Sequence, residues 1–229
     1  MSNYWKDHYD QNTEQFKDSL YKQVGKTVNG VEIDDQQLDC ITRGVIDTLH
    51  LNQEDVVIDL CCGNGLITKY VATAVSKIIG VDFSKGLIDT ANAKSHAENI
   101  TYIESDVLKL PSEFFKQGSK YYMHEALQHF SVEMLGRLLE NMSCIRSGAT
   151  FFISSVPDKE RLRDYYDTDE KRQFYLKMEM ENKPHMGKWW EKAELQLVAA
   201  QHDSKAHFFS QNPLLYTSYY RFDCLLEKS

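Results

Sequence analysis

The sequence predicts an α/β fold built on a mostly parallel sheet, and three observations support this expectation. Short apolar runs rich in β-branched residues recur between residues 56 and 156, as expected for strands buried on both faces. Segments with apolar residues at helical spacing separate several of these runs, and this alternation implies right-handed crossovers between parallel strands. Two strand-like runs in succession then close the chain, which indicates an antiparallel pair.

The first strand follows a predicted amphipathic helix. Asp34 or Asp35 is a suitable N-cap for this helix, because a short carboxylate accepts hydrogen bonds from the first free backbone N–H groups. The apolar residues that share one face of the helix are Leu38, Ile41, Val45 and Leu49. Val56 to Leu60 then forms a buried strand, and apolar spacing predicts a second helix from Leu66 to Ser76.

The alternation of strands and helices continues to Pro157. A further amphipathic helix is predicted from Val132 to Met142. The remaining predicted strands lie at 77–81, 100–103, the start of the segment SKYYMHEALQHF (119–130), 148–156, 205–210 and 219–226. A turn at Asn212 and Pro213 is expected to join the last two.

A glycine loop follows the first strand in the motif IDLCCGNG. Gly63 and Gly65 allow a tight turn and close approach of the backbone to a ligand. A dinucleotide fingerprint needs a third small residue three positions after the second glycine, where this chain has Thr68. Asp59 places a carboxylate next to the loop, which would repel a pyrophosphate and attract an amine or a sulfonium. The loop therefore favours a cationic ligand over a nicotinamide dinucleotide.

Acidic residues lie at the ends of three successive predicted strands. Asp59 ends the first, Asp82 the second, and Asp106 follows the third. An acid at the second strand end is placed to accept hydrogen bonds from ribose hydroxyls. Asp106 could accept a hydrogen bond from an adenine amino group. This set of three acids is more specific than the glycines alone.

In these motifs the chain resembles the class I S-adenosylmethionine-dependent methyltransferases of the small-molecule type. IDLCCGNG, VDFS and ESDV occur in the family's order between Gln36 and Pro157. The resemblance implies a Rossmann-like class I methyltransferase fold, with a mostly parallel seven-stranded sheet, an antiparallel C-terminal hairpin and a helical lid. It implies S-adenosyl-L-methionine as cofactor, bound by Asp59, Cys61, Gly63, Gly65, Asp82, Phe83, Ser84, Asp106, Val107 and His124.

The chain departs from the family pattern in the fourth strand. Leu127, His129 and Phe130 match the family's "L-x-H-F" helix start, while Ser119 replaces an aspartate. The chain has no N/D-P-P-Y/F tetrapeptide at this strand end, which argues against methylation of an exocyclic base amine or an amide.

His129 and His124 are the candidate catalytic residues, since they follow the fourth strand, beside the expected methyl group. A histidine has a pKa near working pH and can take a proton from a nitrogen or oxygen acceptor. The alternative for both is a buried histidine that orients a loop, and Glu125 is a weaker candidate. The resemblance also implies that aromatic residues near the N-terminus close over the cofactor; the candidates are Tyr4, Trp5 and Tyr9. They could equally be packing residues.

Composition limits the classes of partner. The chain has 229 residues and a net charge of −8, with a pI near 5.5, which argues against a nucleic-acid partner. No apolar run approaches the length of a membrane span and the segment MSNYWKDHYD lacks the character of a signal peptide, so we expect a cytoplasmic protein without a membrane partner. The five cysteines form neither a disulfide framework nor a zinc site, and no metal is expected.

The chain is predicted to divide into four parts. Residues 1–35 form an N-terminal helical lid, 36–157 the cofactor-binding α/β core, 158–198 a helical insert that serves as a substrate lid, and 199–229 a β-hairpin that completes the sheet. The insert is rich in aromatic residues and methionine, so it forms either a small satellite core or the wall of a substrate pocket.

The predicted function is methyl transfer to a small-molecule acceptor. An oxygen acceptor is favoured because of the two histidines, and the acceptor class is a sugar or secondary metabolite. The alternatives are a protein methyltransferase, a relative that binds S-adenosylmethionine without transferring a methyl group, and a nicotinamide oxidoreductase, against which Thr68 and Asp59 argue. The protein is expected to be a monomer or homodimer.

Overall fold

A computed structural model describes residues 3–229, and a seven-stranded sheet forms its centre. The strands are β1 (Thr27–Val28), β2 (Val31–Glu32), β3 (Val56–Leu60), β4 (Lys77–Asp82), β5 (Ile100–Glu104), β6 (Lys120–His124), β7 (Thr150–Pro157), β8 (Ser204–Ser210) and β9 (Arg221–Lys228). The main sheet has the order β5-β4-β3-β6-β7-β9-β8, in which the first five strands are parallel and β9 runs antiparallel to both neighbours. The predicted fold class is confirmed.

Helices cover both faces of this sheet. They are α1 (Asn3–Gln15), α2 (Leu20–Gln23), α3 (Asp35–Thr48), α4 (Thr68–Val71), α5 (Lys85–Lys94), α6 (Ser112–Phe115), α7 (Val132–Asn141), α8 (Leu162–Tyr165), α9 (Asp169–Met180) and α10 (Lys192–Gln201). Asp34 caps α3 as predicted, since its side chain accepts a hydrogen bond from the Gln37 N–H at 2.9 Å. No helix within residues 3–229 has both the length and the apolar character needed to cross a membrane.

Alternate residues of the strands enter two hydrophobic cores, one on each face of the sheet. In β3, Ile58 and Leu60 belong to one core and Val57 to the other, and all three are fully buried. Burying an aliphatic side chain of this size contributes roughly 1.5 to 3 kcal/mol. The continuous apolar run of β3 is therefore explained by burial on both faces.

Two predicted elements differ from the structure. The helix expected over 66–76 is a single α-helical turn, α4, followed by a 3₁₀ turn at Ala72–Ala74. Val75 is already extended because the chain must enter β4 two residues later. The turn predicted at Asn212 and Pro213 is present, since the Leu215 N–H donates to the Asn212 carbonyl at 2.9 Å. It is one part of a longer connection, residues 211–220, that hydrogen-bonds to Gln37 of α3.

The insert after β7 anchors itself in the core through Trp190. This side chain is fully buried, and its Nε1–H donates to the Leu127 carbonyl at 3.0 Å. The boundary predicted at residue 198 falls inside α10, whose Leu195 and Val198 pack into the same core as β7 and β9. α10 thus covers the sheet as one of its flanking helices.

Ser119, which stands where the family has an aspartate, fixes β6 beside β3. Its hydroxyl donates to Asp55 Oδ1 at 2.8 Å and accepts from the Val56 N–H at 3.1 Å. Asp55 is 7% exposed, so its carboxylate depends on protein donors. The serine hydroxyl therefore connects the starts of two adjacent strands.

We expect Ser119→Ala to lower the free energy of unfolding by about 1 to 3 kcal/mol, because the substitution leaves a buried carboxylate oxygen without this donor. Urea denaturation followed by circular dichroism measures the change. The matched control is Ser143→Ala, since Ser143 is exposed on a surface turn. Equal stability of the two variants would contradict the role of Ser119.

Candidate functional site

A cleft opens at the carboxyl ends of β3, β4 and β6, and we call it the glycine-loop cleft. It lies where the chain turns from β3 into the glycine loop, and helical N-terminal residues close its outer side. The residues that line it are Tyr9, Val24, Lys26, Asp59, Cys61, Cys62, Gly63, Asn64, Leu66, Ile67, Asp82, Phe83, Leu87, Tyr122, His124, Glu125, Ala126 and His129.

The two glycines of the loop have different structural roles. Both adopt positive φ, +57° at Gly63 and +74° at Gly65, which disfavours residues with a side chain. Gly63 lines the cleft and donates its N–H to Asp82 Oδ2 at 3.0 Å. A Cβ at Gly65 would lie 2.2 Å from the hydroxyl oxygen of Tyr102. Gly65 is thus required for packing against β5 rather than for direct contact with the cleft.

Asp59 lies at the base of the cleft with 2% of its surface exposed. Its Oδ2 accepts hydrogen bonds from the Thr68 hydroxyl at 2.7 Å and from the Tyr122 hydroxyl. Burial nevertheless raises the pKa of this carboxyl to about 7. A cation placed beside it would favour the ionised form.

Asp82, at the end of β4, connects the glycine loop to α5. Its Oδ2 accepts from Gly63 and its Oδ1 from the Ser84 N–H at 2.9 Å. Burial raises the pKa of Asp82 to about 6. Each carboxylate oxygen can accept two hydrogen bonds, so both oxygens of Asp82 can accept another from a ligand in the cleft.

Phe83 and Ser84, which are also predicted to bind the cofactor, differ in their position relative to the cleft. Phe83 lines the cleft. Ser84 is fully buried, and its hydroxyl accepts from the Leu87 N–H at the start of α5 while it donates to Asp10 of α1 at 2.6 Å. Ser84 therefore positions helices around the cleft.

Asp106 and Val107 lie apart from the residues that line the cleft within the described chain. Asp106 accepts from the Leu108 N–H at 3.0 Å and caps the 3₁₀ turn Val107–Lys109. Val107 is buried in the core. Their direct contact with a cofactor stays a prediction.

Helix α1 lies across the outer side of the cleft. Trp5 packs on His129 with ring centroids 4.1 Å apart, and the Tyr9 hydroxyl lies 3.0 Å from His129 Nε2. Tyr9 also lines the cleft, whereas Tyr4 packs edge-on against Trp5. Of the three predicted aromatic residues, only Tyr9 belongs to the cleft lining within residues 3–229.

Both predicted bases are buried beside cations, and the pKa of each lies below the ordinary value of a histidine. Burial and the nearby charge of Lys26 lower the pKa of His124 to about 3. Burial and the charge of Arg221 lower the pKa of His129 to about 3. The Lys26 ammonium lies 2.6 Å from His124 Nε2, and His124 Nδ1 lies 2.8 Å from the Ser154 hydroxyl. A proton on Nδ1 and a lone pair on Nε2 satisfy both contacts.

Sequence reasoning missed Lys26 and Arg221, which complete the charged part of the site. Lys26 is 3% exposed and forms an ion pair with Glu125 at 2.7 Å. Burial opposes ionisation of Glu125, but Lys26 and Arg221 outweigh it and hold the pKa of Glu125 well below its usual range. A lone lysine after Gly25 and an arginine opening the last strand carry no local sequence signal, because only the fold brings them to Glu125.

A second space, which we call the aromatic chamber, continues from the cleft and shares Tyr9, Val24, Glu125 and His129 with it. The insert contributes Tyr165, His185 and Met186 to its wall, so part of the insert packs in the core and part faces a cavity. The full lining is Trp5, His8, Tyr9, Asn12, Val24, Gly25, Thr27, Glu125, Gln128, His129, Tyr165, His185, Met186, Tyr216, Tyr220 and Arg221.

None of the five cysteines forms a disulfide. All five are free thiols, and burial raises the pKa of Cys61 and Cys62 well above the ordinary value. Cys61 and Cys62 both line the cleft. Among the residues that the structure describes, no group of histidine, cysteine and acidic side chains is arranged to hold a metal ion.

A family model described as a methyltransferase domain matches residues 57–145, which run from the second residue of β3 through α7 and include the whole glycine loop. This stretch of the chain is therefore similar to a methyltransferase domain. Asp59, Gly63 and Asp82 lie in the matched part, whereas Lys26, Arg221 and most of the aromatic chamber lie outside it. The matched part thus contains the strand ends of the methyltransferase core.

Solved methyltransferase structures share the fold over nearly the whole chain. Magnesium protoporphyrin IX methyltransferase from Synechocystis PCC 6803 with bound SAH is 14% identical, with a TM-score of 0.63 over 96% of this chain and 100% of that chain. An S-adenosylmethionine-dependent methyltransferase from Anabaena variabilis is 17% identical, with a TM-score of 0.68 over 99% of this chain and 94% of that one.

Curated relatives match shorter segments. The 2-phytyl-1,4-naphtoquinone methyltransferase of Trichormus variabilis is 38% identical over 26% of this chain and 29% of its own length. A 23S rRNA (uracil(1939)-C(5))-methyltransferase of Haemophilus parainfluenzae is 31% identical over 48% of this chain and 22% of its length. This chain thus spans less than a third of the length of either relative.

We expect His124 and His129 to remain neutral between pH 8 and pH 5, roughly the range that brackets an unperturbed histidine, because burial lowers both pKa values. Nitrogen NMR of labelled imidazoles measures this, with His124→Asn and His129→Asn to assign the signals and acetyl-histidine as the reference. A midpoint between pH 6 and 7, as in the reference, would contradict the described environment of either ring.

Proposed function

We propose that the chain binds S-adenosyl-L-methionine in the glycine-loop cleft and transfers its methyl group to a small-molecule acceptor in the aromatic chamber. The observation that carries this proposal is that Asp59, Gly63 and Asp82 line one cleft at the ends of adjacent parallel strands. Such strand ends are where open α/β sheets bind ligands.

The residues of the cleft fit the parts of this cofactor. Asp82 keeps acceptor capacity for ribose hydroxyls, and Asp59 offers a carboxylate to a cationic group. Leu66, Ile67 and Leu87 supply an apolar wall for a flat base. The cofactor supplies a methyl group already activated on a sulfonium, so the protein has to orient the acceptor and exclude water.

The aromatic chamber is the proposed acceptor site because it joins the cleft at Tyr9, Glu125 and His129. The names of the relatives include methyltransferases of a naphthoquinone and a porphyrin, both small molecules. We propose an oxygen acceptor on a secondary metabolite with a flat ring, which the aromatic wall can contact through stacking; a sugar is the alternative.

His129 is proposed to orient the acceptor. Its Nε2 is engaged by Tyr9, and its Nδ1 is buried without a hydrogen-bond partner in the described part of the chain. A pKa of about 3 makes it a weak base near neutral pH. His124, held between Lys26 and Ser154, is proposed to position Lys26.

Other functions have weaker support. The match to an rRNA methyltransferase suggests nucleic acid as an alternative acceptor. A net charge of −8 disfavours binding to such a polyanion. A protein methyltransferase and a cofactor-binding relative without methyl transfer remain the alternatives. The protein is proposed to act in the cytoplasm as a monomer or homodimer, without a membrane partner.

The test combines binding and turnover. Calorimetry with S-adenosylhomocysteine measures cofactor affinity, and incubation with methyl-labelled S-adenosylmethionine and separated metabolite, protein and RNA fractions identifies the acceptor. Label in the metabolite fraction supports the proposal. Label only in protein or RNA would refute the acceptor class, and tight binding without any labelled product would support a binding protein.

Asp82→Asn should weaken the affinity for S-adenosylhomocysteine about 10- to 100-fold, because a neutral amide replaces a charged acceptor of ribose hydroxyls. The amide keeps the size of the side chain and one acceptor oxygen. Asp89→Asn is the control, since Asp89 is exposed on α5. Unchanged affinity in Asp82→Asn would remove the ribose assignment.

Cofactor binding near pH 7 should release a fraction of a proton, because a cationic group next to Asp59 lowers a pKa that starts at about 7. The release is expected to be up to roughly half a proton per site. Calorimetry in buffers of different ionisation enthalpy measures it. Asp59→Asn should reduce the release and the exposed control Asp203→Asn should not; equal release in both variants would show that Asp59 does not meet the cation.

A further inference from the structure

The aromatic chamber and its junction with the cleft hold more buried positive than negative charge. Lys26 and Arg221 are 3% and 7% exposed. Glu125 is the acid that lines both spaces, and its Oε2 pairs with Lys26 at 2.7 Å. Burial lowers the pKa of His8 and His185, the other histidines of the chamber, so they add little positive charge near neutral pH. Lys26 and Arg221 thus share Glu125 as the acid that lines both spaces.

The hydrogen bonds of Arg221 go to neutral groups, and its guanidinium carbon lies 5.2 Å from the centre of the Tyr220 ring. One terminal nitrogen donates to Gln128 Oε1 at 3.2 Å and to the Ser155 carbonyl. Its Nε is buried and has no hydrogen-bond partner among residues 3–229. A buried guanidinium is costly unless a carboxylate or similar anion pairs with it. The chamber thus contains a cation whose pairing is incomplete.

Asp223, two residues further along β9, is not the missing partner. Its Oδ1 accepts from the Ser155 N–H at 2.7 Å and from the Gln211 amide at 3.1 Å, and it lines a different cavity. The acids Asp59 and Asp82 lie on the cofactor side of the junction. Asp59, Asp82 and Lys26 thus line the cofactor cleft, whereas Arg221 lines the aromatic chamber.

The wall facing this charge is aromatic. Tyr165 and Tyr220 pack with ring centroids 4.6 Å apart, and Trp5 lies on His129 at 4.1 Å. Such surfaces bind flat rings through stacking and edge contacts. An aromatic ligand with an anionic oxygen matches both the wall and the unpaired arginine.

We propose that the acceptor of this site is a small aromatic acid, whose carboxylate or phenolate is bound by Arg221 with Lys26 nearby. The inference rests on the proposed function and names its substrate class. A carboxylate is already ionised near neutral pH, so it needs no base before methyl transfer, in agreement with the two neutral histidines.

The test compares 2-naphthoate with 2-naphthamide, which has nearly the same shape and no charge, by calorimetry on protein saturated with S-adenosylhomocysteine. Naphthoate should bind about tenfold more tightly or better. Arg221→Gln should remove most of this preference, and Arg221→Lys should keep part of it. Glu125→Gln should increase the preference, because it removes the negative charge that opposes the ligand.

Arg137→Gln is the matched control, since Arg137 is exposed on α7 and should leave the preference unchanged. Circular dichroism checks that each variant is folded. If Arg221→Gln does not fold, the larger preference for naphthoate expected in Glu125→Gln tests the inference instead. If the protein binds S-adenosylhomocysteine, equal affinity for naphthoate and naphthamide would overturn the inference. No naphthoate binding at millimolar concentration would also overturn it. Failure of S-adenosylhomocysteine itself to bind would instead refute the proposed function.

Discussion

The geometry of the site depends on one buried carboxylate, that of Asp82. Its two oxygens hold the N–H of Gly63 in the glycine loop and the N–H of Ser84 at the start of α5. Ser84 in turn donates to Asp10, which fixes helix α1 over the cleft. A buried carboxylate needs several donors to remain ionised. Asp82 therefore connects the glycine loop to α5 directly and to α1 through Ser84.

A second charged group organises the opposite side of the site. Lys26, from the segment before β1, reaches Glu125 and His124 at the end of β6, and Arg221 of β9 lies close enough to influence both electrostatically. The N-terminal segment and the last strand are thus coupled through charge at the point where cleft and chamber meet. Low exposure strengthens these interactions relative to those at the surface.

Local patterns in the sequence were sufficient for most of the sheet. The apolar runs of β3, β4 and β7 are continuous because both faces are buried, so their positions followed from composition alone. Prediction was incomplete where the three-dimensional context decides. The helix α4 is shortened by the approach to β4, and the connection around the predicted turn at Asn212 and Pro213 is held by Gln37 from a distant helix.

The sequence by itself determined the fold class and the position of Asp59 and Asp82 at the ends of strands, because motif spacing along parallel strands is a local property. Tertiary structure alone decided the chemistry of the histidines. Burial and the neighbouring cations turn His124 and His129 into neutral groups, and these cations come from positions nearly 200 residues apart, Lys26 and Arg221. Desolvation and charge depend on distance in space, which neither composition nor spacing along the chain records.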